Sequence, residues 1–139
     1  MECTNRIGRN INVLVMKEKL VIIKIGGHVI DQEASLQKFL KDYAAITGPK
    51  ILVHGGGKMA TALSAQLGIP QQMINGRRIT DEATLRVVTM VYAGLINKNI
   101  VAGLQANRCN AFGICGADGD AIRAHKRINA VQDLSLIHI

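Results

Sequence analysis

The stretch Val21-Ile22-Ile23-Lys24-Ile25-Gly26-Gly27 decides the fold, and Ile51-Leu52-Val53-His54-Gly55-Gly56-Gly57-Lys58 repeats its logic further along. Each is a short aliphatic run that stops at consecutive glycines before a helical pattern resumes. An α/β protein places bare backbone N–H groups at the carboxyl edge of its sheet in this way, and anions bind there. Lys24 adds a fixed cation beside the first loop. Two anion cradles and a lysine point to phosphate chemistry.

Around these runs lies a chain of 139 residues, enough for one domain with a real core but short for an α/β kinase that must hold two substrates. Apolar residues make up 48% and charged residues 19%, the balance of a globular protein. No uninterrupted apolar run reaches the roughly 18 residues of a membrane span, and the start has no basic-then-apolar leader, so a cytoplasmic protein without membrane attachment is expected. The 3 cysteines (Cys3, Cys109, Cys115) form no C-x-x-C pair and are expected to be reduced thiols. The formal charge of +7 comes from scattered residues rather than a block, and only 2 Phe and 2 Tyr offer stacking surfaces. A basic surface facing a polyanionic small substrate is therefore expected, and no nucleic acid.

Leu20 to Ile25 reads as a central parallel strand, apolar on both faces except at Lys24. Leu36, Phe39, Leu40, Tyr43 and Ala44 then follow helical spacing behind an Asp31 cap, with Gly48-Pro49 closing the element. After a second strand from Lys50 to His54, a helix starting within Gly57-Lys58 is expected to turn Ala60, Leu63 and Leu67 inward and to end at Gly68. Asn75-Gly76 is a strong hairpin signal inside Gln71 to Thr80. Behind a Thr80 cap, with Asp81 and Glu82 in its first turn, a long helix runs toward Asn107. Leu85, Val88, Tyr92 and Leu95 form one stripe of that helix. Val87, Val91 and Val101 widen it beyond one sheet face, which suggests a homodimer through helix 81–107. Ala111 to Cys115 reads as a third core strand, and Ala121 to His125 as a short fourth.

The motifs carry bland readings as well. Gly55-Gly56-Gly57-Lys58-Met59 fails the Walker A test, because Leu52 replaces the first glycine and Met59 the Ser or Thr. A glycine triplet alone is as often a tight turn. A lysine at a strand end is usually solvated, but in a strand buried on both faces a lone ammonium is costly, so an anion or carboxylate is expected to face Lys24. His54 is a candidate base, although a strand-end histidine bonded to backbone is commoner. Arg77 and Arg78 alternate in a hairpin, so only one reaches the cleft. His125 and His138 lack ligand spacing, and Asp118 and Asp120 sit between glycines as turn formers, so no metal site is expected.

Together these residues resemble the amino-acid kinase family, and within it the N-terminal half of the enzymes that phosphorylate an N-acylated glutamate. The likeness covers roughly Lys19 to Arg127. It rests on Ile22-Ile23-Lys24-Ile25-Gly26-Gly27, Val53-His54-Gly55-Gly56-Gly57, Asn75-Gly76-Arg77-Arg78-Ile79-Thr80 and Ala93-Gly94-Leu95-Ile96-Asn97-Lys98. The third motif is the specific one.

The resemblance implies a three-layer α/β/α sandwich with a mainly parallel sheet, truncated here. It also implies an enzyme of arginine biosynthesis that transfers the γ-phosphoryl of ATP, carried with Mg2+ as co-substrate, to the side-chain carboxylate of N-acetyl-L-glutamate or N-succinyl-L-glutamate. Lys24 is the implied catalytic cation. Gly26, Gly27 and Gly55 are implied to bind phosphate, and Gly56, Gly57 and Arg78 the acylglutamate, Arg78 through its α-carboxylate.

The family's nucleotide pocket, second phosphate-binding lysine, organising aspartate and substrate asparagine belong to a C-terminal half with no counterpart here. Residues 1–18 and 128–139 are expected to be extensions outside the family lobe at 19–127, and the fragment is expected to be inactive alone. The alternatives are a stand-alone acylglutamate-binding or regulatory module, or a carbamate, aspartate or glutamate 5-kinase, against which the Asn75 to Thr80 hairpin argues.

Overall fold

The computed structural model describes residues 19–70, 72–74 and 77–123, with backbone alone at 73, 74 and 77. Strand β1 (Val21–Ile25) pairs in parallel with β2 (Lys50–His54), from Val21 opposite Lys50 to Ile25 opposite His54. Between them run α1 (Gly27–Ile30) and α2 (Glu33–Ala44). This α/β arrangement around a parallel pair is the class that the sequence indicates.

Leu36, Leu40 and Tyr43 form the buried stripe of α2. Its N-cap is Gln32 rather than Asp31, which instead ends α1. The two glycines start a short helix of their own before the main crossover helix, and this shifts the cap by one residue. At the other end, the Lys50 ammonium donates to the carbonyls of Tyr43, Ala44 and Ile46 and lies 5.0 Å from the centre of the Tyr43 ring. It satisfies carbonyls that the helix end leaves unpaired and fixes where β2 begins.

Helix α3 (Gly57–Gln66) follows β2 and ends as expected at Gly68, whose φ is +69°. Ile69 N–H bonds Ser64 O and Gly68 N–H bonds Ala65 O, the paired bonds of a Schellman cap. Ala60 is fully buried, but Leu67 in this cap is exposed, contrary to its expected inward position. The expected hairpin forms, with β3 (Met73–Ile74) antiparallel to β4 (Arg77–Arg78).

One continuous helix then covers Glu82–Ala106. It comprises α4 (Glu82–Thr89), a π-helical segment (Met90–Ile96) and α5 (Asn97–Ala106). Its cap is Asp81 rather than Thr80: Oδ1 accepts the Thr84 amide at 2.8 Å. The buried positions are Thr84, Val87, Val91, Ile96, Asn97, Ile100 and Leu104, not the expected stripe of Leu85, Val88, Tyr92 and Leu95. The step from Val91 to Ile96 is one residue longer than its neighbours, as a π turn requires, and an α-helical period misses it. Although the helix is long and apolar enough to cross a membrane by length and composition, its buried apolar residues join the core formed with Ile25, Ile30, Leu36, Leu40, Tyr43 and Ala60.

The core lies on one face of the sheet. Ile22, 62% exposed, and Ile51 and Val53 point to the other face, so β1 is not buried on both sides as its composition suggested. Among the described residues, all helical cover lies on the face of Ile23, Ile25 and Leu52.

Ala111–Cys115 forms no strand. Side chains of α5 take its carbonyls: Gln105 donates to Ala111 O, Lys98 to Gly113 O and Asn97 to Ile114 O. The alternation is nonetheless that of a strand, with small Ala111, Gly113 and Cys115 turned toward the body and Phe112 and Ile114 outward. A Cβ on Gly113 would lie 1.8 Å from Asn97 Oδ1, so only glycine permits this contact. Residues 121–123 form no strand either, and the remainder of that expected element, with His125 and His138, lies outside the described residues.

Candidate functional site

Because Ile25 stands opposite His54 in the parallel register, Gly26–Gly27 and Gly55–Gly57 emerge side by side at one sheet edge. Two adjacent parallel strands end at the same sheet edge, so the pairing itself imposes this placement. The second loop leads directly into the N-terminus of α3, whose Gly56 N-cap has no side-chain hydrogen bond. The first turn of α3 contains no acidic residue. The helix dipole and unpaired amides of such a terminus favour an anion.

The two loops differ in what surrounds them. A Cβ on Gly56 would lie 2.0 Å from Ile96 Cδ1 and 3.2 Å from Tyr92 Cε1, whereas a Cβ on Gly26 or Gly55 would meet nothing within 4 Å. Gly56 is needed for packing against the π segment. Gly26 and Gly55 leave open space at the edge. Asp31 joins the loops: its Oδ2 is 3.5 Å from Lys58 Nζ on α3 and would be equally far from a Cβ on Gly27. From its spacing Asp31 reads only as a cap, because nothing in the sequence brings α1 against α3.

Arg78 reaches this edge from the hairpin. Its Nη2 donates to Gly57 O at 2.9 Å and to Thr61 Oγ1, and Thr61 in turn donates to Gly57 O. Its Nε–H is buried without a partner among the described residues. Nη2 is thus fixed on α3 with both its hydrogens engaged, and Nη1 makes no hydrogen bond among the described residues. Thr61, which aligns it, carried no signal in the sequence beyond a helical position.

Lys24 is exposed on the open sheet face, opposite Val53, and no carboxylate faces it among the described residues. The expectation of a buried, compensated ammonium is corrected, since the strand is covered on one face only. The His54 Nδ1–H donates to Gly55 O at 3.2 Å, the commoner backbone-bonded role. Asp118 accepts the Cys115 amide at 2.6 Å, and Asp120 pairs with Arg123. Both serve local turns, and no group of three or more metal-ligating side chains occurs among the described residues. The hydrogen bond from Thr84 holds Asp81 below the usual carboxylate range, and that from Cys115 does the same for Asp118. Burial, with the charge of Cys109, raises the Tyr43 hydroxyl.

A parallel β-α-β unit with two glycine loops and a helix N-terminus converging on one edge is an α/β arrangement suited to an anion. Residues 19–138 match the amino acid kinase family, and the chain belongs to it.

Among its relatives, an acetylglutamate kinase of Bacteroides fragilis is 62% identical over 112 residues, covering 81% of this chain and 43% of its own length. One from Parabacteroides distasonis is 58% identical over 120 residues, covering 86% and 47%. One from Methylobacterium nodulans is 40% identical over 119 residues, covering 84% and 39%. The chain thus spans less than half the length of these relatives.

Proposed function

We propose that this chain is the acylglutamate-binding part of an acetylglutamate kinase, a cytoplasmic enzyme that phosphorylates the side-chain carboxylate of N-acetyl-L-glutamate or N-succinyl-L-glutamate with ATP. The observation that carries the reading is Arg78, fixed beside Gly57 through Nη2 while Nη1 makes no hydrogen bond among the described residues. A guanidinium held on α3 through Nη2 still presents its charge and the Nη1 donors to an α-carboxylate, in a planar geometry that a lysine cannot reproduce.

In this reading the Gly56 and Gly57 amides hold the acylglutamate. Gly26, Gly27 and Gly55 line the open part of the edge where phosphate approaches, and Lys24 offsets charge on the transferring group. One oxygen of the side-chain carboxylate attacks the γ-phosphorus and ADP departs with the electron pair of the broken bond, without a covalent enzyme intermediate. Catalysis then rests on holding two anions in line, an effect worth up to about 7–11 kcal/mol. In this reading Mg2+ arrives as part of the ATP complex. Met90 and Leu95, half exposed on the long helix, support a homodimer through residues 81–107.

The test is Arg78→Lys against Arg77→Lys, in a chimera of residues 1–127 joined to the remaining part of the Bacteroides fragilis relative. KM for N-acetyl-L-glutamate is expected to rise at least tenfold for Arg78→Lys and less than twofold for Arg77→Lys. Equal effects would remove the assignment.

A further inference from the structure

We infer that Tyr92 is an additional substrate contact, its hydroxyl bonding the acylglutamate beside Gly57; the inference rests on the acylglutamate reading above. Tyr92 lies within the π-helical segment, and its ring runs along the second glycine loop. Cδ1 and Cε1 would lie 3.3 and 3.2 Å from a Cβ on Gly56, and Oη would lie 3.9 Å from one on Gly57. The hydroxyl therefore arrives at the residue whose carbonyl holds Arg78, and the two side chains flank the start of α3. No hydrogen bond of Tyr92 occurs among the described residues, although the ring is half-buried against the core. A phenol so placed ordinarily finds a partner.

The π turn supports a role beyond packing. An extra residue inside a helix sacrifices regular hydrogen bonding, and such turns recur where a side chain must be re-aimed at a site. Here Tyr92 and Ile96 both fall against Gly56. A neutral hydroxyl donor suits the carboxylate or amide oxygens of an N-acylated amino acid and adds no further charge near Arg78. The bland alternative is that the ring only packs on glycine while the hydroxyl is solvated. Tyr92→Phe separates the two, since it keeps the ring.

The chain has no tryptophan and 2 tyrosines, and Tyr43 is buried in α2. The near-ultraviolet difference spectrum on adding N-acetyl-L-glutamate therefore reports chiefly on Tyr92. Calorimetric titration of the full chain is expected to show binding with a tyrosine difference band. Tyr92→Phe should keep its thermal midpoint, bind roughly 3- to 10-fold more weakly, as loss of one neutral hydrogen bond predicts, and lose the band. Affinity within twofold of wild type would overturn the inference. If Arg78→Lys weakens binding while Tyr92→Phe does not, the acylglutamate reading stands and the Tyr92 contact falls. If the wild-type chain shows no binding at millimolar ligand, both fall.

Discussion

The two glycine loops look alike in the sequence and differ in the structure. Around Gly56 the side chains of Ile96 and Tyr92 leave no room for a Cβ, while Gly26 has open space and an extended backbone that any residue adopts. A glycine demanded by packing and a glycine that keeps a surface bare give the same letter. Gly56 draws α3 against the long helix, and Gly26 leaves the neighbouring edge clear. The first requirement belongs to folding, and the second, under the proposed function, to binding.

Gly56→Ala tests the packing requirement most severely. Overpacking against Ile96, which is 2% exposed, is expected to cost about 1–3 kcal/mol in a urea titration. Adding Ile96→Val, which removes the obstructing Cδ1, should recover much of the loss. A Gly56→Ala chain as stable as wild type would erase the difference between the loops.

Gly26→Ala is the converse case. Stability should stay level or rise by about 0.4–1 kcal/mol, because the folded backbone accepts alanine and the unfolded chain loses freedom. In the chimera described above, phosphoryl transfer should fall at least tenfold, as a methyl group then occupies the bare edge. Full activity with unchanged stability would show that the open space has no function.

A smaller effect concerns the helix that crowds Gly56. Asp81 caps it, and its carboxyl is held below the usual range by the Thr84 amide. A lowered folded-state pKa gives a contribution that is complete above the unfolded value of about 3.9 and lost as pH falls through the folded value. Asp81→Ala should therefore melt below wild type at pH 7, with the gap closing in acid below about pH 4. A gap that persists unchanged into strong acid would assign the effect to something other than the cap.

The sequence was most informative where local chemistry decides. Aliphatic runs broken by glycines gave β1, β2 and their loops, Asn75-Gly76 gave the hairpin, and Gly68 gave the end of α3. It misled where a distant partner decides. Ala111–Cys115 has the alternation of a strand, yet its carbonyls are taken by Asn97, Lys98 and Gln105. The stripe on the long helix is one residue off from its first turn, where Thr84 and Val87 rather than Leu85 and Val88 are buried, and the π turn then adds a residue to the period. Arg78 was legible through its hairpin motif, but Thr61, which fixes it, and Asp31, which pairs with Lys58, depend on α3 packing against elements far from it in the chain. Lys24 was placed at the correct edge in the wrong surroundings, since composition does not tell a strand with two covered faces from one whose outer face stays open.

Under the proposed function this edge seats an N-acylated glutamate for phosphoryl transfer. The most direct measurement is ADP release by the chimera of residues 1–127 with the remaining part of the Bacteroides fragilis relative, supplied with ATP, Mg2+ and a candidate acceptor. Turnover is predicted with an N-acyl-L-glutamate and not with aspartate, carbamate or unacylated glutamate, and no turnover is predicted for the 139-residue chain alone. A folded chimera that ignores acylglutamate or prefers another acceptor would contradict the claim, and turnover by the chain alone would place a nucleotide site within it.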